Sequence, residues 1–157
     1  HMTYPYGVHL ARVCVDRETG GVAVERYMIG YDVGRAINPL LVEEQLRGGI
    51  VQGIGSALYE ECIYDEAGNL MNATMADYLA PMASEMPDID VDLLDTREST
   101  TELGAKGIGE SGLIGAMGAL WVSVTDALKP FGARIVHQPF TPERILDAIA
   151  AGTSQGK

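Results

Sequence analysis

Four glycines, Gly48, Gly49, Gly53 and Gly55, fall inside a segment that otherwise reads as one helix, and they constrain this chain more than any other feature. The helix opens at Asn38-Pro39, where Asn is a good N-cap and Pro at the first helical position gives up no hydrogen bond. It runs to about Tyr59. Each internal glycine costs a helix about 1 kcal/mol relative to Ala, so the four cost roughly 4 kcal/mol. Something must offset that. Successive residues turn by about 100°, which gathers Leu46, Ile50, Ile54 and Leu58 into an apolar stripe and puts Gln45, Gly48, Gly49, Gln52 and Ser56 on another face. Two readings stay open for the glycine face. A strand packs closely against it, or a bulky ligand lies on the bare backbone, with the Gln52 amide able both to donate and to accept.

A second glycine cluster, Gly104-Ala105-Lys106-Gly107-Ile108-Gly109-Glu110-Ser111-Gly112, feeds the start of an apolar helix predicted over 111–128. Backbone N–H groups in such a loop can face an anion. The spacing is not that of a Walker loop, because Lys106 precedes the glycines and no Ser or Thr follows it, and no strand–loop–helix unit with a downstream acid makes it a dinucleotide fingerprint. Glu110 stands where the helix begins. Its carboxylate could serve only the positive end of the helix dipole. Alternatively, backed by an apolar helix, it would be partly desolvated and tuned as a proton acceptor.

The rest of the chain reads as α+β. Segments 7–16 and 22–32 are rich in β-branched residues and flank Arg17-Glu18-Thr19-Gly20-Gly21, which predicts an antiparallel hairpin. A short strand is expected over 61–64, then a turn over 65–69 and a loop with one helical turn over 71–86. Residues 89–94 alternate apolar and acidic, as a half-buried strand does, with Asp88, Asp90, Asp92 and Asp95 on the wet side and no Ca²⁺-loop spacing. A strand over 133–137 and a helix over 142–150 follow, the helix capped by Thr141 and ended by Gly152. His1-Met2 has the look of an expression-tag scar, which leaves one domain over 3–152 and a tail over 153–157.

With 22 acidic against 11 basic residues, a net charge of −11 excludes nucleic acid and anionic membrane as natural partners. The longest apolar stretch, 113–128, is short for a bilayer span. His9 and His137 have no ligand partner at metal spacing and read as structural or surface residues. Two cysteines, Cys14 and Cys62, make no disulfide framework and no metal motif; Cys14, in an apolar run, is expected to be buried, and free thiols favour a cytoplasmic location.

Three stretches in this order and separation resemble the molybdenum hydroxylases, the family of xanthine dehydrogenase, aldehyde oxidase and aerobic carbon monoxide dehydrogenase. They are Asp32-Val33-Gly34-Arg35-Ala36-Ile37-Asn38-Pro39, the stretch from Gln45 to Gly55, and the stretch from Gly104 to Glu110. The likeness runs from about Gly7 to Ala150. It implies a mixed sheet with packed helices, forming the C-terminal portion of the molybdenum-cofactor-binding domain of the large subunit. It also implies that Glu110 is the catalytic general base, taking a proton from the oxygen nucleophile that attacks an electron-poor carbon, with water as the oxygen source. Gln52 would hydrogen-bond the pterin, and Lys106, Gly107, Ile108 and Gly109 would line the cofactor pocket. The pterin dithiolene, not the protein, would hold the metal, and the cofactor would be molybdopterin cytosine dinucleotide. The expected partners are the remainder of the molybdenum subunit, iron–sulfur and FAD subunits or domains, and a small molecule such as an aldehyde, purine, N-heterocycle or carbon monoxide. Complete subunits of the family are several times longer, so the chain by itself is expected to be inactive and without cofactor. The alternative is a non-catalytic binding or assembly module that keeps the fold.

Overall fold

The computed structural model describes residues 3–155. Strand β1 (Tyr6–Val15) and strand β2 (Val22–Asp32) form the expected hairpin. Asp16 organises its loop, Oδ1 accepting from the N–H groups of Glu18 and Thr19. Helix α1 (Pro39–Leu58) starts at Asn38, whose side chain accepts from the Leu41 N–H. Strand β3 (Ile89–Leu94) lies beside β2 in parallel, Tyr27 opposite Ile89 and Asp32 opposite Leu94, so the three-stranded sheet is mixed, in the order β1-β2-β3. Helix α2 (Ser111–Leu128) and helix α3 (Pro142–Gln155) complete the elements, with 3-10 turns at Ala83–Glu85 and Lys129–Phe131. The α+β class and the mixed sheet with packed helices are those expected.

One face of the sheet makes the core. Tyr27, Ile29 and Tyr31 of β2 meet Leu46, Ile50 and Ile54 of α1 and Ala116, Leu120 and Val124 of α2, all buried. Removing each large aliphatic side chain from water contributes about 1.5–3 kcal/mol. The period-2 pattern of β2 sends Met28 and Gly30 to the opposite face, beside Val8 and Leu10 of β1, and that face is open to solvent.

Several expectations fail for identifiable reasons. Residues 61–64 form no strand: the Asn72 carboxamide accepts from the Ile63 N–H and donates to the Glu61 carbonyl, so a side chain takes the place of a partner strand, leaving one isolated bridge between Tyr64 and Leu70. Residues 133–137 alternate as a strand should, with Ala133 and Ile135 buried, but they join no sheet. Gly152 does not end α3, which continues to Gln155. A Cβ there would stand 2.5 Å from the Phe131 carbonyl oxygen, so the glycine serves close packing instead of a C-cap. Cys14 is exposed, because the strand alternation points it away from the core. The stretch Ser111–Phe131 is long and apolar enough to cross a membrane by length and composition, contrary to the expectation from 113–128 alone. Here its stripe of Ala116, Leu120, Val124 and Leu128 is buried in the fold. His1 and Met2, read above as a tag scar, lie outside the described residues, as do 156–157 of the expected tail.

Candidate active site

The glycine face of α1 resolves into two parts. At one part α2 crosses α1, and the partner is a helix where a strand was expected. A Cβ on Gly49 would lie 2.9 Å from the Gly112 Cα, one on Gly53 2.4 Å from the Ala116 Cβ, and one on Gly112 2.3 Å from the Leu46 carbonyl oxygen. Gly49 and Gly112 let two backbones touch, and Gly53 admits the Ala116 methyl. Gly55 is likewise enclosed, by Glu60 and Pro81. Gly48 differs: a Cβ there would meet nothing within 4 Å.

Next to Gly48 the two helices open into a pocket of ≈ 290 Å³ lined by Gln45, Gly48, Gln52, Gly109, Glu110 and Leu113. The structure therefore brings Gln52 and Glu110, far apart in sequence, to one concavity. Gln45 sets the spacing by donating from Nε2 to the Gly109 carbonyl at 2.8 Å. Glu110 is the N-cap residue of α2, and its carbonyl accepts from Leu113 and Ile114, but its side chain makes no capping hydrogen bond. Both Gln52 and Glu110 are exposed, and neither side chain has a hydrogen-bond or ion-pair partner among the described residues. The expected desolvation of Glu110 by its own helix is not met within this chain, since α2 leads away from the carboxylate instead of covering it.

A second concavity of ≈ 480 Å³ shares Gln45 and Gly109 with the first and is also lined by Lys106, Ile108, Arg35 and Asn38. Gly107 lines neither; its N–H donates to Thr3 Oγ1 at 3.3 Å. The Lys106 side chain is used internally. Its Nζ lies 3.2 Å from Asp32 Oδ2, with the two side chains 5% and 0% exposed, and 4.8 Å from the Tyr6 ring centroid. Asp32 Oδ1 accepts from the N–H groups of Gly34 and Thr96. Burial acts to raise the Asp32 carboxyl, but hydrogen bonds from Gly34, Thr96 and Lys106 outweigh it and hold the group well below the ordinary carboxylate range. Backbone bonds join the same two segments, Arg35 N–H to the Gly104 carbonyl and Lys106 N–H to the Val33 carbonyl. Gly34 (φ +60°) and Gly104 (φ +71°) supply the left-handed backbone this junction needs, and a Cβ on Gly34 would meet the Gly104 oxygen at 2.4 Å. The buried pair Asp32–Lys106 and the tether from Gln45 were not foreseen. Only their presence within the three motifs hinted at either.

These residues suit a bulky polar ligand. Gly48 and Gly109 leave room for one, since a Cβ on either meets nothing within 4 Å, and Gln52 and Glu110 offer unused polar atoms beside that room. Among the described residues no cluster of three or more His, Cys, Asp or Glu could hold a metal ion directly.

Known proteins show the same domain. The family described as "Molybdopterin cofactor-binding domain" matches residues 1–87. The large subunit of nicotine 6-hydroxylase from Paenarthrobacter nicotinovorans is 44% identical over 90% of this chain, which covers 17% of that protein. The carbon monoxide dehydrogenase large chain of Hydrogenophaga pseudoflava is 34% identical over 95%, covering 19%. Among solved structures, quinoline 2-oxidoreductase from Pseudomonas putida 86 superposes with a TM-score of 0.89 at 42% identity, covering 92% of this chain and 18% of that one. The Cu,Mo carbon monoxide dehydrogenase does so with a TM-score of 0.90 at 31% identity, covering 96% and 19%. Fold and site thus define a cofactor-binding domain of the molybdenum oxidoreductases. The chain belongs to the molybdopterin cofactor-binding domain family, as the C-terminal part of the large subunit of the xanthine dehydrogenase, aldehyde oxidase and carbon monoxide dehydrogenase group. It spans less than a fifth of the length of the relatives it matches.

Proposed function

We propose that this chain supplies the catalytic base and one wall of the cofactor site of a molybdenum hydroxylase. The observation that carries the reading is the shared pocket. Glu110 and Gln52, both without side-chain partners among the described residues, line it together beside a helix backbone left bare at Gly48. The cofactor, which we take to be molybdopterin cytosine dinucleotide, would supply redox chemistry and an acidified oxygen nucleophile. Gln52 would orient it through an amide that donates and accepts. The backbone from Lys106 to Gly109 would border it, with the Lys106 side chain turned away to Asp32. Glu110 would hold the proton lost by the nucleophile, at a carboxylate that α2 presents and does not consume. The rest of the molybdenum subunit would cover this wall, exclude water and select a small substrate, an aldehyde, purine, N-heterocycle or carbon monoxide. Iron–sulfur and FAD subunits or domains would carry the electrons onward. Two free cysteines suit a cytoplasmic enzyme.

In the complete subunit, Glu110→Gln should lower turnover by about 10²–10⁴-fold while cofactor content stays unchanged. Near-normal turnover would remove Glu110 from the base role. The chain alone, one wall of a pocket, should bind no molybdenum; elemental analysis giving one molybdenum per chain would show instead that the site is complete without its other walls.

A further inference from the structure

His9 belongs to no part of the site described so far, yet it touches the helix end that carries Glu110. It sits on β1 opposite Ile29. Its ring meets those of Tyr27 and Tyr31 edge-on, with centroids 6.0 and 6.1 Å away. Nδ1 lies 2.8 Å from the Tyr27 hydroxyl. On its other side the ring fills the space above Gly115 of α2, where a Cβ would come within 2.2 Å of the ring Cδ2. Gly115 therefore exists for this imidazole as Gly112 exists for the α1 backbone. Nε2 is buried without a hydrogen bond of good geometry. Burial lowers the imidazole, and the buried Ser111 backbone, next in sequence to Glu110, acts in the opposite direction.

The chemistry of the pair sets a direction along this chain of groups. Tyr27 is fully buried, and burial raises its phenol, so the hydroxyl stays protonated and can donate to Nδ1. A neutral imidazole that accepts at Nδ1 carries its proton on Nε2. That proton then lies on the side of the ring packed over Gly115, near the start of α2.

We propose that His9 is a positioning residue for Glu110: tied at Nδ1 to Tyr27 and wedged over Gly115, it is a strut between the sheet and the first turn of α2 that fixes where the carboxylate stands. The inference rests on the reading of Glu110 as the base, but it can be tested apart from it.

In the 157-residue chain, the nitrogen shifts of the His9 imidazole should report the neutral Nε2–H tautomer; an Nδ1–H tautomer would overturn the proposal. Tyr27→Phe keeps the ring packing and removes only the donor. It should speed amide exchange from Ser111 to Gly115 about fivefold, the worth of one hydrogen bond, and leave exchange in α3 alone. His9→Gln, whose amide can still meet the Tyr27 hydroxyl, should keep exchange near the parent value, and His9→Phe, which only fills space, should not. Unaltered exchange in both Tyr27→Phe and His9→Phe would overturn the proposal. In the complete molybdenum subunit, Tyr27→Phe should lower kcat about fivefold at constant KM, again the worth of one bond, and an unchanged kcat would remove the link to Glu110. If Glu110→Gln itself retains normal turnover, the base reading falls, while the tautomer and the exchange rates still decide the strut.

Discussion

The helix pair α1–α2 has a closed side and an open side, and both are rich in glycine. On the closed side, Gly49 and Gly112 vanish into backbone contacts and Gly53 against the Ala116 methyl, leaving no space for a side chain. On the open side, Gly48 and Gly109 border a pocket where an added Cβ would meet nothing within 4 Å, and the side chains of Gln52 and Glu110 beside them have no partners among the described residues. A glycine in a helix costs about 1 kcal/mol wherever it lies. The closed side recovers that cost within the chain through packing. The open side does not, and there the proposed cofactor would offset it. A glycine face is therefore not evidence of a ligand until the glycines that serve packing have been subtracted.

The largest change is expected where the closed side is anchored. Asp32→Ala would leave Lys106 buried and uncompensated, and should destabilise the fold by about 3–5 kcal/mol in denaturant unfolding. The same group makes stability depend on pH. Its carboxyl titrates lower in the folded chain than the ordinary value near 3.9, so its contribution is complete above about pH 5 and is lost as pH falls towards the depressed value. Unfolding midpoints of the parent should drop across that acid range, and Asp32→Asn should flatten the drop; a variant with the same slope would show that other carboxylates govern it.

Gly112→Val comes next. It drives a side chain into the Leu46 carbonyl, and a loss of about 3 kcal/mol is expected, the upper end for overpacking, because the obstacle is backbone. A midpoint within error of the parent would mean that the crossing is looser than described. Gly48→Ala is the smallest and has the opposite sign. With nothing within 4 Å of the added Cβ, it should stabilise the isolated chain by about 1 kcal/mol. Destabilisation there would erase the distinction between the two sides.

Local chemistry was legible in the sequence, and long-range chemistry was legible only where a resemblance supplied it. Asn38 and Pro39 announced the start of α1, and the run 17–21 announced the hairpin, because caps and turns involve neighbours in sequence. The stripe Leu46, Ile50, Ile54 and Leu58 is buried as its period required. By contrast, nothing local marks Lys106 as the partner of Asp32, or α2 as the element that meets Gly49. Cys14 misled because β1 carries apolar residues on both faces, so that hydrophobicity alone could not say which side is inside. Residues 133–137 misled in the opposite way, since alternation records a buried side and not a paired edge.

The parallel pairing of β2 with β3 sets an order of events as the chain folds. The hairpin closes early, because its strands are neighbours in sequence. β3 can join only after α1 and the long irregular segment behind it have found their places, and such distant contacts form slowly. The loop that bears Glu110 lies later still in the chain, fastened to the far end of β2. Glu110, the proposed base, thus takes its place only once the loop before α2 has docked on the end of β2.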